Sequence, residues 1–293
     1  MVAGQFVEDS SITEDTVAVG DYVAFGSYPQ TLYTGSASLT VVSGETFEGL
    51  PVYTDGTDKY VYVSSPNPYN SSNKYSNGTT ISSSTACYFK LEPMVWKVLS
   101  KDSNNKLLLV SEREIRANIP FYTSSSDRTV NSATVYANNY EYSTIRAYLN
   151  NLNGSSYSVA DYSSNGFLNS AFTTEEQELI CTTTVDNSAS TTSNDANKYA
   201  CANTEDKVFL LSYQDVKITY FSSDAERVKY PTDFAGATYA NKGGGESGGQ
   251  YWIRTPDYMM GGLMVIVNYS GDIYDAIVST SWLGVVPAMY IQL

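Results

Sequence analysis

What most limits the fold of this chain is the shortness of its ordered pieces, because Ser, Thr, Asn and Gly tracts interrupt every apolar run. Residues 20–25 read as a strand stopped by Gly26-Ser27-Tyr28-Pro29-Gln30, and residues 39–42 and 59–63 read as further β pieces. The tract 64–84 reads as a surface loop. Two stronger strands, 93–99 and 106–110, flank an Asn-rich connector and predict a β-hairpin. Beyond residue 250 only short strands follow, at 251–254, 263–267, 273–274, 277–278 and 288–293.

Helical signals are few and local. Ser143 is placed to cap a helix whose Ile145, Tyr148 and Leu149 share one face at i, i+3 and i+4. Thr173-Thr174-Glu175-Glu176 is a capping box, with Leu179 and Ile180 closing a short amphipathic helix. Ser212-Tyr213-Gln214-Asp215, after the apolar residues 208–211, repeats the start signal more weakly, and 182–197 reads as a long polar loop. Short helices set among many short strands predict one α+β domain over 19–293 behind a flexible segment 1–18, not a βαβ array.

Composition narrows the chemistry. The 293 residues include no histidine, which removes Ser-His-Asp and Cys-His nucleophile systems, HExxH zinc sites and imidazole proton transfer. Seventeen basic residues against 31 acidic ones give a net charge of −14, which opposes nucleic acid and anionic lipid as partners. Charged residues are 16% of the chain, below the roughly 25% of an average domain, so the polar surface is built from Ser, Thr, Asn and Tyr. That surface predicts an extracellular or cell-surface protein whose leader or lipid anchor lies outside this sequence, with the cytoplasm or a phage particle as alternatives. No segment approaches the ~18 apolar residues of a membrane span, and residues 1–8 carry neither a basic nor an apolar leader region. Three cysteines, Cys87, Cys181 and Cys201, form no CxxC pair; idle thiols are the simpler reading and a Cys181–Cys201 bridge the alternative.

The acidic clusters read as structural. Glu175, Glu176 and Glu178 fall in a predicted helix whose positive end favours them. Asp55-Gly56-Thr57-Asp58 lacks the DxDxDG pattern of a calcium loop and predicts a plain turn. Glu112, Arg113, Glu114 and Arg116 alternate in sign and predict ion pairs. The glycine-rich stretch 242–250 has no following Lys-Ser/Thr, so it is not a phosphate-binding loop.

The last segment has the composition of a binding surface, since Tyr and Trp give contact area at small entropic cost while Ser, Gly and Asn adapt. Its candidate ligand-binding residues are Asp257, Tyr258, Gly261, Leu263, Tyr269, Tyr274, Asp275, Ile277, Ser279, Ser281 and Trp282. Trp252, Arg254 and Pro287 are the candidate framework, Arg254 acting through buried hydrogen bonds. No catalytic residue, metal ligand or cofactor is read from the sequence.

Several stretches together resemble a known bacterial family. They are Val19-Gly20-Asp21 with Phe25-Gly26-Ser27-Tyr28-Pro29-Gln30; Glu92-Pro93 with Trp96-Lys97-Val98-Leu99; Tyr142-Ser143-Thr144-Ile145-Arg146; Phe167-Leu168-Asn169; Asp206-Lys207-Val208-Phe209-Leu210-Leu211-Ser212; Trp252-Ile253-Arg254-Thr255-Pro256; and Gly284-Val285-Val286-Pro287-Ala288. The chain resembles bacterial C-type-lectin-fold domains of the formylglycine-generating-enzyme (sulfatase-modifying-factor) variant. The resemblance implies a small twisted β core, peripheral helices, abundant loops and an exposed C-terminal ligand-binding face. The oxidising enzymes of that fold carry a cysteine pair handling copper, and no cysteine follows Cys201 here, so their site does not carry over; nor are the calcium-lectin sugar motifs present. The segment 252–288 is also similar to that of variable proteins of diversity-generating retroelements. Adenine mutation of Asn codons yields the residue types at Tyr258, Gly261, Leu263, Tyr269, Tyr274, Asp275, Ile277, Ser279 and Ser281, but not Met259, Met260 or Trp282. The resemblance implies a monomeric, non-enzymatic display protein that binds a protein or glycan. A carboxylate-dependent glycan hydrolase and a structural cell-envelope module are the alternatives.

Overall fold

The computed structural model describes residues 17–241 and 248–293, together with the backbone of Phe6–Val7. The rest of the predicted flexible segment 1–18, up to residue 16, and residues 242–247 of the glycine-rich stretch lie outside the described residues. The fold is α+β and mostly β, with few short helices. No helix among the described residues is long and apolar enough to cross a membrane.

The first strands are β1 (Tyr22–Leu32), β2 (Thr40–Phe47), β3 (Leu50–Thr54), β4 (Lys59–Val63), β5 (Cys87–Lys101) and β6 (Lys106–Ser111). The helices are α1 (Thr144–Leu149), α2 (Phe167–Ala171) and α3 (Thr174–Leu179), followed by β7 (Val208–Phe209), a π-helical turn Gln214–Thr219, a short turn of helix Asp224–Arg227 and α4 (Asp233–Ala237). The C-terminal strands are β8 (Tyr251–Pro256), β9 (Leu263–Val267), β10 (Ile273–Ile277) and β11 (Ala288–Gln292).

Strand β5 organises the main sheet, whose order is β7-β11-β6-β5-β4-β3-β2 with β1 also on β5. Its 15 residues are long enough to serve three partners in turn: β4 through Cys87–Lys90, β1 through Phe89–Lys97 and β6 through Trp96–Lys101. The predicted hairpin of 93–99 and 106–110 is therefore present, within longer strands. Trp96 is fully buried, and its indole N–H donates to the Phe25 carbonyl at 2.8 Å, so its polar atom is satisfied inside the core. One apolar cluster runs from Val17 to Ile291 and includes Phe89, Phe167, Phe234 and Trp252. Burial stabilises by about 1.5–3 kcal/mol for each large side chain.

Local signals give the helix starts. The Ser143 hydroxyl accepts from Arg146 N at 3.1 Å and starts α1. The Thr173 capping box closes in both directions at 3.2 and 2.8 Å. Of the two residues expected to close that helix on its apolar face, Ile180 is buried but Leu179 is exposed, because α3 ends before a second turn reaches the core. At the weaker signal, Ser212 Oγ accepts from Asp215 N, and a π-helical turn follows.

Three expectations are corrected. The 182–197 loop contains a strand, Thr183–Val185, paired with Thr204–Asp206. The 64–84 tract buries Asn73, Tyr75 and Ile81, so its polar composition hides a packed segment. Residues 273–274 and 277–278, read as two strands, are one strand, β10, which ends at Ile277 and leaves Val278 outside it. The acidic runs are structural here: Glu112 pairs with Lys229 and Arg116 with Glu48, both far away in sequence. All three cysteines are free, and burial pushes the Cys201 thiol up to about 11.

At the β3–β4 turn Asp55 Oδ1 accepts from the Thr57 and Asp58 amides, and Oδ2 accepts from the Tyr60 hydroxyl at 2.8 Å. The amides of Asp58 and Thr57, then the hydroxyl, lower its pKa to about 2. A depressed carboxylate contributes its full stabilisation above the unfolded value of about 3.9 and loses it only as pH falls toward 2. Carboxyl-carbon NMR titration of Asp55 should show a midpoint near 2, and Asp55→Asn should remove that dependence.

Candidate ligand-binding face

Strands β8, β9 and β10 form a separate antiparallel sheet. Strand β8 is buried throughout, β9 is buried from Met264 onward, and β10 is the exposed edge. The framework residues lie beneath it. Trp252 is fully buried with its N–H on the Ile119 carbonyl at 3.3 Å. Arg254, 7% exposed, donates through Nη1 to the Leu210 carbonyl at 2.6 Å and to Asp215 Oδ2 at 2.9 Å, and through Nε and Nη2 to the Asp186 carbonyl. Pro287 is buried and its carbonyl accepts from Ser111 N.

The connection from β8 to β9 displays apolar side chains on a fixed backbone. Asp257 is buried, and its Oδ1 accepts from Met259 N at 2.9 Å and Met260 N at 2.7 Å, so this predicted ligand residue closes its own turn. From below, buried Asn138 donates to the carbonyls of Met260 and Leu263 and accepts from none of the displayed side chains, while its backbone N–H bonds the Gly261 carbonyl. The Tyr199 hydroxyl adds a bond to the Met259 carbonyl at 3.3 Å. With its carbonyls and amides tied down, the loop holds Tyr258, Met259 and Met260 outward at 46%, 68% and 57% exposure.

At the opposite end Asn268 Oδ1 accepts from Ser270 N and Asp272 N, and the Gly271 carbonyl accepts from Arg227 Nε at 2.8 Å. Gly271 has φ +85°, and a Cβ there would lie 1.8 Å from the Asp224 carbonyl oxygen, so only glycine fits. Tyr269 projects from this turn, and Tyr274 and Ile277 project from opposite faces of the edge strand. Asp275 lies on the same strand; partial burial, then the Asp257 charge, holds its carboxyl above the usual range.

Gly261 opens a shallow cleft of about 420 Å³ lined by Ser125, Ser126, Asp127, Tyr136, Tyr199 and Gly262. A Cβ at Gly261 would stand 3.0 Å from the Tyr199 ring and 3.5 Å from Tyr136, so glycine keeps the cleft floor open. The two rings pack edge to face at 4.8 Å.

Of the predicted residues, Tyr258, Gly261, Leu263, Tyr274, Asp275 and Ile277 lie on this sheet and its β8–β9 loop, with Tyr269 at the far turn and Ser279 exposed just after β10. Ser281 and Trp282 are half-buried, and the Trp282 ring packs on Tyr69 at 5.4 Å, with Tyr239 beside Tyr69 at 5.8 Å. Sequence reasoning missed Asn138, Asp127, Tyr136 and Tyr199, which reach the loop from over fifty residues away and carry no local signal.

A family model described as a domain of unknown function, DUF6273, matches residues 95–293. No curated protein and no solved structure matches the chain.

Proposed function

We propose that this chain, which belongs to the DUF6273 family of domains of unknown function, is a non-enzymatic binding module whose β8–β9 loop and exposed β10 edge contact a protein partner. One observation carries the reading: among the described residues, six of the eleven large apolar side chains left exposed fall between Tyr258 and Ile277. Scattered singly, such residues need no explanation; concentrated on one loop, the edge strand beside it and that strand's turn, they mark an interaction surface. Exposed Met and Ile beside Tyr favour a protein over a glycan on this face. The fixed backbone of the 257–262 loop lowers the ordering cost of binding.

The C-type-lectin-like reading and retroelement diversification belong to the same proposal. Their support is that the positions of the adenine-derived residue types are exposed or half-buried on β9, β10 and the adjoining loops, while Trp252, Arg254 and Pro287 are buried. The carboxylate-dependent enzyme has less support, because the cleft beside Gly261 brings one carboxylate, Asp127, where glycosidase chemistry uses two.

The test is a folded variant carrying Tyr258→Ser, Met259→Ser, Met260→Ser, Tyr274→Ser and Ile277→Ser. Against partners recovered by cross-linking to the unaltered protein, its affinity should fall by at least about a hundredfold, since clustered anchor residues each contribute on the order of 1–2 kcal/mol. Undiminished binding by the variant would overturn the proposal.

A further inference from the structure

The solvent side of the sheet formed by β2–β5 carries a second, chemically different surface. Register fixes its membership. Val52 pairs with Val61 and Val61 with Phe89, and these three are buried on the core side. Side chains alternate faces along a strand, so Tyr53, Tyr60, Tyr62 and Tyr88 all fall on the other side. Tyr53, Tyr62 and Tyr88 form a half-buried triangle with ring centroids 5.4, 5.0 and 5.0 Å apart. Tyr33, continuing β1, covers Tyr60 at 4.8 Å and extends the aromatic surface.

We infer that this tyrosine plate is a binding site for a neutral polysaccharide. Centroids about 5 Å apart leave no space between the rings, so a ligand must lie over them and not within a cage. Among the described residues the hydroxyls of Tyr53, Tyr62 and Tyr88 make no hydrogen bond to the protein, whereas those of Tyr60 and Tyr33 are spent on Asp55 and the Ala37 carbonyl. The plate therefore offers apolar ring surface rimmed by free hydroxyls. A pyranose, with C–H groups on its faces and hydroxyls at its edge, matches both features. The exposed apolar neighbours on this side include Val41 and Pro51 but no Met or Ile among the described residues, unlike the β8–β10 region.

Charge selects a neutral glycan over an acidic one. The charged groups flanking the plate are already paired, Lys59 with Glu45 at 2.8 Å and Lys90 with Asp58 at 2.6 Å. The chain's net charge of −14 repels a polyanion. The site is independent of the β8–β10 face, and its tyrosines precede residue 95, where the family match begins.

Affinity electrophoresis of the full chain through gels containing hydroxyethylcellulose, xylan, galactomannan or amylose, with polygalacturonate as the acidic control, tests the assignment. At least one neutral polysaccharide should retard the protein, and the Tyr53→Ala/Tyr62→Ala/Tyr88→Ala variant should lose at least about tenfold in affinity, as truncating stacked aromatic anchors does. Should that variant fail to fold, Tyr62→Ala alone and amide NMR of the unaltered chain decide: shifts on adding a fragment of the retarding polysaccharide should be confined to β2–β5. Failure of every neutral polysaccharide to retard the protein, stronger retardation by polygalacturonate, full retention of binding in the folded variant, or NMR shifts elsewhere would each overturn the inference. So would a self-associated chain that the triple substitution dissolves, since the plate would then be covered by a second copy.

Discussion

Glu48→Ala is expected to destabilise the protein by about 3–5 kcal/mol, the cost of breaking a buried ion pair from one side. The Glu48 side chain is 3% exposed, and its Oε2 lies 2.6 Å from Arg116 Nη1. Its Oε1 accepts from the Tyr28 hydroxyl at 2.8 Å and the Tyr148 hydroxyl at 2.7 Å. Truncation leaves the Arg116 guanidinium, packed over Phe234, without its anion, and leaves two buried hydroxyls with only each other. Glu48→Gln keeps an acceptor for the tyrosines and loses the charge, so its destabilisation should be smaller. Burial, then the Glu48 charge, holds both tyrosines well above the ordinary range, so neither ionises to compensate. Urea unfolding midpoints measure all of this; a Glu48→Ala midpoint equal to the unaltered protein's would refute the account.

The second large effect is at Arg254, where Ala is expected to cost about 3 kcal/mol, given 1.5–3 for hydrogen bonds to charged groups and 1–3 for each buried partner left unmatched. The Leu210 and Asp186 carbonyls lose their donor, while Asp215 keeps the N–H and hydroxyl of Ser212. Arg254→Lys restores the charge without a planar fork able to reach three acceptors, so it should recover only part of the loss. Because Arg254 N also bonds the Leu211 carbonyl, amide exchange in β8 and β9 should accelerate in both variants, more in Ala. Unchanged exchange in β8 of the Ala variant would show that the guanidinium does not hold the sheet.

What was legible in the sequence was local. Ser143 and Thr173 announce helix starts because a cap and its amide are three residues apart. The β2–β3 hairpin escaped notice because Glu48 stands where Asn is usual: Glu48 and Gly49 both have positive φ, +49° and +81°. A Glu in that conformation is strained, and the partners that offset the strain, Arg116 with the Tyr28 and Tyr148 hydroxyls, lie 20 to 100 residues away, which no window reveals. Asn138 under the display loop is hidden for the same reason. The tyrosine plate needs strand register, which composition cannot supply; 26 tyrosines spread through the chain gave no hint that four share a face. Trp282 was grouped with its sequence neighbours, yet packs on Tyr69 from the 64–84 tract.

The reach of β5 bears on where the unit can be cut. The family match begins at Val95, midway along Cys87–Lys101, so a boundary placed there would sever a continuous strand between Met94 and Val95. The C-terminal piece would keep β6 but lose all of β1, and Arg116 would be parted from Glu48 and from Tyr28. For this member the matched region is thus an evolutionary outline drawn inside a larger physical object, and residues 22–94 are part of the body it needs in order to close.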